Sequence, residues 1–246
     1  MARADLAPDV VAYTSLLEAA VHRGEHEAVL GEMRAARVSP NVVTYGVLMK
    51  TSATSGDFRS AEAWVRRMRA ERVQPSSVTL TTLISAYAKA GLMAKAEACF
   101  RSMTLAALAP DARSYGALLD GHGGRGAEAG DPSRCEAWLA RMRRGGVEPS
   151  EIQYNQLLRA QSALDRPERR PKVAACLQDM LARRVEPTAA TLSVARSLLG
   201  EAEAVSLCRE LGVDYHRIAV EPYDRRRHKR TASPSCGAWR LRRRVR

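Results

Sequence analysis

Six prolines impose a period on this chain. Pro8, Pro40, Pro75, Pro110, Pro149 and Pro187 stand 32 to 39 residues apart. Each is followed five residues later by a large apolar residue: Tyr13, Tyr45, Leu80, Tyr115, Tyr154 and Leu192. Each proline after the first also stands seven residues after a methionine: Met33, Met68, Met103, Met142 and Met180. A unit that recurs at this spacing specifies a solenoid, in which every unit packs on its neighbours, and excludes a single central core.

Counting back from the methionine defines one helix. Seven residues before it stand His26, Ala61, Ala96, Cys135 and Val173; four before it, Val29, Trp64, Cys99, Trp138 and Cys176; three before it, Leu30, Val65, Phe100, Leu139 and Leu177. With the methionine these make the i, i+3, i+4, i+7 stripe of an amphipathic helix. Five residues before it stands an alanine every time (Ala28, Ala63, Ala98, Ala137, Ala175), which suits a place where another helix backbone comes close. A second helix precedes the first in each unit. Three residues past the Pro-plus-five position come Leu16, Leu48, Leu83, Leu118 and Leu157, and one further on Leu17, Met49, Ile84, Leu119 and Leu158. Proline, without an amide donor and restricting the residue before it, is expected to halt the methionine helix.

The fold class is therefore all-α, a solenoid of helix-turn-helix units. Five units span 10–41, 42–76, 77–111, 112–150 and 151–188. A sixth, 189–214, starts at Ala189 and decays with neither methionine nor closing proline, and 215–246 reads as a disordered basic tail. Length varies only between the Pro-plus-five residue and the methionine, so the slack lies around the turn between helices, with loops expected at 121–133 and 165–171. Residues 1–9, with Leu6, Pro8 and Asp9, match the end of a repeat whose earlier part is absent, and the chain is expected to be a piece of a longer array.

The net charge of +12 is unevenly placed. Residues 215–246 hold 11 Arg and Lys against Glu221 and Asp224, which leaves only +3 for the rest. A general electrostatic argument for nucleic acid thus applies to the tail alone. The five cysteines form no CxxC pair, so buried thiols are expected rather than zinc or disulfides. His22 and His26 are four apart but have Gly24 between them and no carboxylate beside them, a poor metal site. No apolar run reaches the roughly 18 residues a membrane span needs. No Ser/His/Asp set, aspartate cluster or phosphate loop is present, so no enzyme, cofactor or small-molecule substrate is expected.

The segments VVTYGVLMKTSATSGDFRSAEAWVRRMRAERVQPS and SVTLTTLISAYAKAGLMAKAEACFRSMTLAALAPD closely resemble the pentatricopeptide repeat, whose typical unit runs "VVTYN.LI....K.G....A...F..M...G..PD". The tetratricopeptide repeat, a protein-binding solenoid of similar length, carries a W-x2-L-G-x2-Y signature that this chain lacks. The resemblance implies a right-handed superhelix with the first helices lining a concave groove. It implies single-stranded RNA as partner, possible contacts to other RNA-processing proteins, one base per repeat, and residence in a chloroplast or mitochondrion.

In that family the fifth and last residues of a unit read the base, and the second packs on base faces. Here the fifth positions are Thr14, Gly46, Thr81, Gly116 and Asn155, with Ser193 a weak sixth. The last positions are Asn41, Ser76, Asp111, Ser150 and Thr188, and the second positions are Val11, Val43, Val78, Arg113 and Ile152. Thr14 with Asn41 resembles an adenine-reading pair, Thr81 with Asp111 a guanine-reading pair, and Asn155 points to a pyrimidine. Gly46 and Gly116 have no side chain to read with, and Arg113 replaces the usual aliphatic. The last-position residues are also preferred helix N-caps, a role compatible with base reading. The second-position aliphatics read equally as packing between repeats. In the tail, Arg225, Arg226, Arg227, Lys229 and Arg230 read as an RNA-backbone clamp, a nuclear localisation signal or a solvated segment. The expected sequence is A-N-G-N-Y, which random RNA matches at about one position in 32. The function expected is an RNA-binding adaptor in organelle mRNA processing, stabilisation or translation. The alternatives are a protein-binding scaffold and the recognition half of an RNA-processing enzyme.

Overall fold

The computed structural model describes residues 8–21, 23–125 and 130–220. Among them, thirteen α-helices and no strands occur: α1 (Val10–Val21), α2 (His26–Ala35), α3 (Val42–Ser55), α4 (Phe58–Ala70), α5 (Ser77–Lys89), α6 (Met93–Leu105), α7 (Ala112–Asp120), α8 (Pro132–Arg144), α9 (Glu151–Ala160), α10 (Arg166–Ala182), α11 (Ala189–Leu199), α12 (Glu201–Glu210) and α13 (Tyr215–Val220). Odd-numbered helices touch in series from α1 to α13, and α1 to α12 pair into six odd–even hairpins. Even helices are linked by long charged side chains reaching one unit across, as in Lys95–Glu62 (2.9 Å), Arg134–Glu97 (3.2 Å) and Lys172–Glu136 (2.8 Å). The odd helices are thus the closely spaced inner rank and the even helices the outer one.

The core lies between the ranks. Met33, Met68, Met103, Met142 and Met180 have no solvent exposure, and the rest of their stripe is buried from Val29 to Leu177. The recurring alanine does not do what its constancy suggests. Ala28, Ala63, Ala98, Ala137 and Ala175 are all exposed. The small residues that are fully buried are instead Ala61, Ala96 and Cys135, seven before the methionine. The constant alanine sits off the stripe, where high helix propensity is its physical merit.

Nor does proline end the even helices. Each ends at a residue in the left-handed region: Arg37 (φ 58°), Arg72 (59°), Ala107 (55°), Gly146 (74°), Arg184 (61°) and Gly212 (70°). The next residue then donates to the carbonyl at the anchor position: Val38 to Met33 (2.8 Å), Val73 to Met68 (2.9 Å), Leu108 to Met103 (3.1 Å), Val147 to Met142 (3.1 Å), Val185 to Met180 (2.9 Å) and Val213 to Cys208 (2.8 Å). This is a Schellman ending, which satisfies terminal carbonyls and leaves the residue after the turn half-buried against the core. The prolines come three residues beyond the left-handed residue, when the helix is already over.

The same geometry restores the sixth unit. Cys208 takes the methionine's place and Gly212 the left-handed position, so α11 and α12 form a complete hairpin rather than a decaying one. Tyr215 is buried against Leu192, Ala204 and Cys208, so the first part of the segment expected to be disordered is the helix α13. The rest of the tail lies outside the described residues.

The two expected loops also differ. Residues 166–171 belong to α10, with Pro171 inside it. After α7 the chain makes a π-type turn, Gly121–Arg125, and Pro132 already opens α8. Gly124 in that turn has φ 87°, and a Cβ on Gly130 would lie 2.9 Å from the Ala160 Cα. These explain the glycines that read as loop.

Candidate nucleic-acid interface

Each odd helix begins at a cap. Asp9 Oδ1 accepts from the Ala12 amide (2.8 Å), Asn41 Oδ1 from Val43 and Thr44 (2.9 and 3.0 Å), and Asp111 Oδ1 from Ser114 (2.8 Å). Ser76, Ser150 and Thr188 do the same with the Thr79, Ile152 and Thr191 amides. In five units the third helical residue returns the bond: Thr44, Thr79, Ser114, Gln153 and Thr191 accept from the cap residue's own amide at 2.9–3.3 Å. These capping boxes fix the first turn of the inner rank. None of these five residues is among those the repeat pattern singled out above, yet they carry a signal of their own: a Thr, Ser or Gln recurring four residues after proline, at a buried position. Capping and exposure coexist at Asp111, which uses one carboxylate oxygen on the cap and remains exposed.

The second positions face solvent. Val11 is 67% exposed, Val43 58%, Val78 60% and Ile152 51%, and Arg113 is exposed as well. Packing between repeats is therefore not their role. Single exposed aliphatics are ordinary, but four of them and an arginine at the same station of five successive inner helices make a periodic row.

Beside that row lie the fifth positions. Thr81 and Asn155 are buried (7% and 6% exposed), and Thr81 Oγ1 and Asn155 Oδ1 have no hydrogen-bond partner. Left unpaired, such a group costs a folded chain about 1–3 kcal/mol, so each has a hydrogen bond open to a water or a ligand. Thr14 is half-buried and satisfied, donating to Val10 O (2.6 Å) and meeting Thr44 Oγ1 at 3.1 Å. Ser193 is exposed.

The two glycines differ. A Cβ on Gly46 would meet nothing within 4 Å. One on Gly116 would meet Gln153 Nε2 at 3.2 Å and Gln156 Oε1 at 4.0 Å. Both glutamines come from α9 and bond back to α7: Gln153 Nε2 donates to Ala112 O (3.3 Å) and Gln156 Nε2 to Gly116 O (3.1 Å).

Tyrosine–carboxylate bonds hold the inner rank to the outer one. Tyr45 donates to Glu71 (2.6 Å), Tyr87 to Glu62 (2.7 Å) and Tyr154 to Asp179 (2.7 Å). Burial alone would raise the Glu71 and Asp179 carboxyls, but hydrogen bonds from Tyr45 and Arg34, and from Tyr154 and Arg183, hold both below their ordinary values. Lys95 and Tyr87 do the same for Glu62. Burial pushes the Cys99 thiol up to about 11 and those of Cys135 and Cys176 up to about 12, so all three stay protonated at neutral pH. Among the described residues no group of three His, Cys, Asp or Glu could hold a metal ion, and no helix is long and apolar enough to cross a membrane. Arg225, Arg226, Arg227, Lys229 and Arg230, with His22 and Cys236, lie outside the described residues.

The profile of the pentatricopeptide repeat domain matches residues 1–55, and that of the PPR repeat family matches 40–89 and 75–123. The crystal structure of the pentatricopeptide repeat protein PPR10 from maize is similar over 84% of this chain and 30% of its own, at 27% identity and a TM-score of 0.62. PPR10 in complex with an 18-nt psaJ RNA element matches 85% of this chain and 29% of its own, with the same identity and score. The PPR domain of Arabidopsis thaliana protein-only RNase P 1, in complex with tRNA, shares the fold over 75% of this chain and 95% of its own, at 19% identity and a TM-score of 0.58. The chain thus spans less than a third of the length of the PPR10 structures it matches. No curated protein sequence matches it.

Proposed function

The chain belongs to the pentatricopeptide repeat family, and on that premise we propose that it binds single-stranded RNA along the inner rank of helices, one base per repeat. The observation that carries this reading is the exposed row Val11, Val43, Val78, Arg113 and Ile152 running beside buried polar atoms that lack partners, Thr81 Oγ1 and Asn155 Oδ1. A base inserted between successive members of the row would cover their apolar surface and bring its Watson–Crick edge to the fifth and last residues. Thr81 with Asp111 suits guanine, whose N1–H and N2–H2 donate to a carboxylate. Thr14 with Asn41 suits adenine, and Asn155 a pyrimidine. Arg113 can stack its guanidinium plane on a base and add a positive charge. PPR10, similar over most of this chain, is bound to RNA in its solved complex, which supports the same ligand class.

The action that follows from such binding is that of an adaptor. It occupies a strand, shields it from nucleases or opens its structure, and leaves chemistry to other proteins of a mitochondrion or plastid. A solvent-facing row of aliphatics is also what a protein-binding scaffold would show, but the unpartnered Thr81 Oγ1 and Asn155 Oδ1 beside that row favour base edges.

The test is titration of 12-mers carrying A-N-G-N-Y against scrambled controls, with wild type and Thr81→Val. Wild type should prefer the designed sequence by about tenfold. Thr81→Val removes a hydroxyl that has no protein partner, so it should lose much of that preference while unfolding no earlier than wild type. Equal affinity of wild type for designed and scrambled strands sinks base reading.

A further inference from the structure

The fourth repeat has glycine where a base-reading side chain belongs, yet its groove is not empty. Gln156 reaches across from α9 and is 7% exposed. Its Nε2 donates to Gly116 O at 3.1 Å, and its Oε1 lies 4.0 Å from the point where a fifth-position Cβ would stand. That Oε1 has no partner, like Thr81 Oγ1 and Asn155 Oδ1 at true fifth positions. The bond to a backbone carbonyl fixes which end of the amide faces which way. Only the NH2 can donate to Gly116 O, so the free atom is an acceptor. Gln156 is also held from behind, since the π-type turn after α7 brings Gly123 to where an added Cβ would be 3.2 Å from Gln156 O.

The position is peculiar to this junction. Gln156 is the sixth residue of its unit, one helical turn after the exposed Ile152. The corresponding residues elsewhere are Ser15, Val47, Thr82, Ala117 and Val194, none long enough to reach the neighbouring helix in the same way. At Gly46, the other glycine repeat, an added Cβ would meet nothing within 4 Å.

We infer that Gln156 is the base-contacting residue of the fourth repeat, supplied in trans from the fifth, and that its Oε1 accepts a hydrogen bond from an N–H on the Watson–Crick edge of the fourth base. This rests on the RNA-binding reading above. The fourth repeat then discriminates among bases and the second does not, although both carry glycine. Acceptance by one neutral oxygen should separate best from worst base by about fivefold.

The experiment uses the full chain and 12-mers in which the second, third or fourth base of A-N-G-N-Y is set in turn to A, C, G or U. Wild type should rank the four bases over about fivefold at the fourth position and bind them equally at the second. Gln156→Met, similar in length but with no amide, should flatten the ranking at the fourth position and leave the third unchanged. Ranking at the third position with none at the fourth overturns this inference and spares the RNA reading. A fourth-position ranking that survives Gln156→Met overturns it as well. No ranking at either position overturns both. The wild-type comparison of fourth with second position decides the matter even if the variant fails to fold.

Discussion

The second and fourth repeats carry the same residue at the same station and differ in what surrounds it. Gly46 in α3 opens onto free space, whereas Gly116 in α7 is buried beneath Gln153 and Gln156. The first glycine is an omission in the groove. The second is a fitted part, because Gln153 also closes the capping box on Ser150 and would have to move for any side chain. A gap in a repeat pattern is therefore not one kind of thing. Its meaning depends on whether the neighbouring repeat has grown into it.

Substitution should separate the two sites most sharply. Gly116→Leu forces Gln153 and Gln156 aside in a packed junction and should cost about 1–3 kcal/mol in urea unfolding. Gly46→Ala, a helix-interior change with room for the methyl group, should instead stabilise by about 1 kcal/mol. Equal effects at the two sites would erase the distinction.

The helix endings extend the comparison at somewhat smaller scale. The third repeat ends α6 with Ala107 in the left-handed region, and the fourth ends α8 with Gly146. Ala107→Gly should stabilise, and Gly146→Ala destabilise, each by about 1 kcal/mol. Thermal unfolding that moves both variants in the same direction would show that contacts, not backbone strain, govern these ends.

The smallest effect is in pH. The second repeat joins its two helices through Tyr45 and Glu71, the fifth through Tyr154 and Asp179. Both carboxyls are held below their ordinary values in the folded chain, so they bind protons less readily there than in the unfolded one. Their stabilisation is complete above the unfolded values of 4.5 and 3.8 and is lost as pH falls through the lowered folded ones. Melting temperature should fall on acidification below about 4.5, less steeply in Glu71→Gln, the partial exposure of both groups keeping the slope modest.

The repeat, its two helices and its buried stripes were legible in the chain because burial repeats with the unit. Met33 and Tyr45 occupy equivalent places in every hairpin, so the pattern survives substitution among apolar residues. The endings were not legible, because a left-handed residue written as Arg37, Arg72 or Arg184 carries no compositional mark. Cys208 hid the sixth hairpin for a related reason: backbone geometry recurs there without the methionine and proline that advertise it elsewhere. The alanines mislead because constancy suggests close packing, whereas they lie on the exposed side. At the interface, sequence placed the caps but left the second positions open between packing and exposure, because an aliphatic residue on a helix suits either. Gln156 escaped, since its importance comes from reaching into the space left by a glycine 40 residues away.

Asp111 offers the most direct test of the central claim that these repeats read bases. Asparagine caps a helix as well as aspartate does, so Asp111→Asn keeps the first turn of α7 intact. It exchanges a carboxylate, which accepts from guanine, for the amide of the pair that resembles an adenine reader at Thr14 and Asn41. Affinities of wild type and Asp111→Asn should be measured for 12-mers with G or A at the third position. Base reading predicts that the preference passes from G to A by about tenfold, with unfolding unchanged. The same G-to-A ratio for both proteins would mean that Asp111 is a helix cap and nothing more.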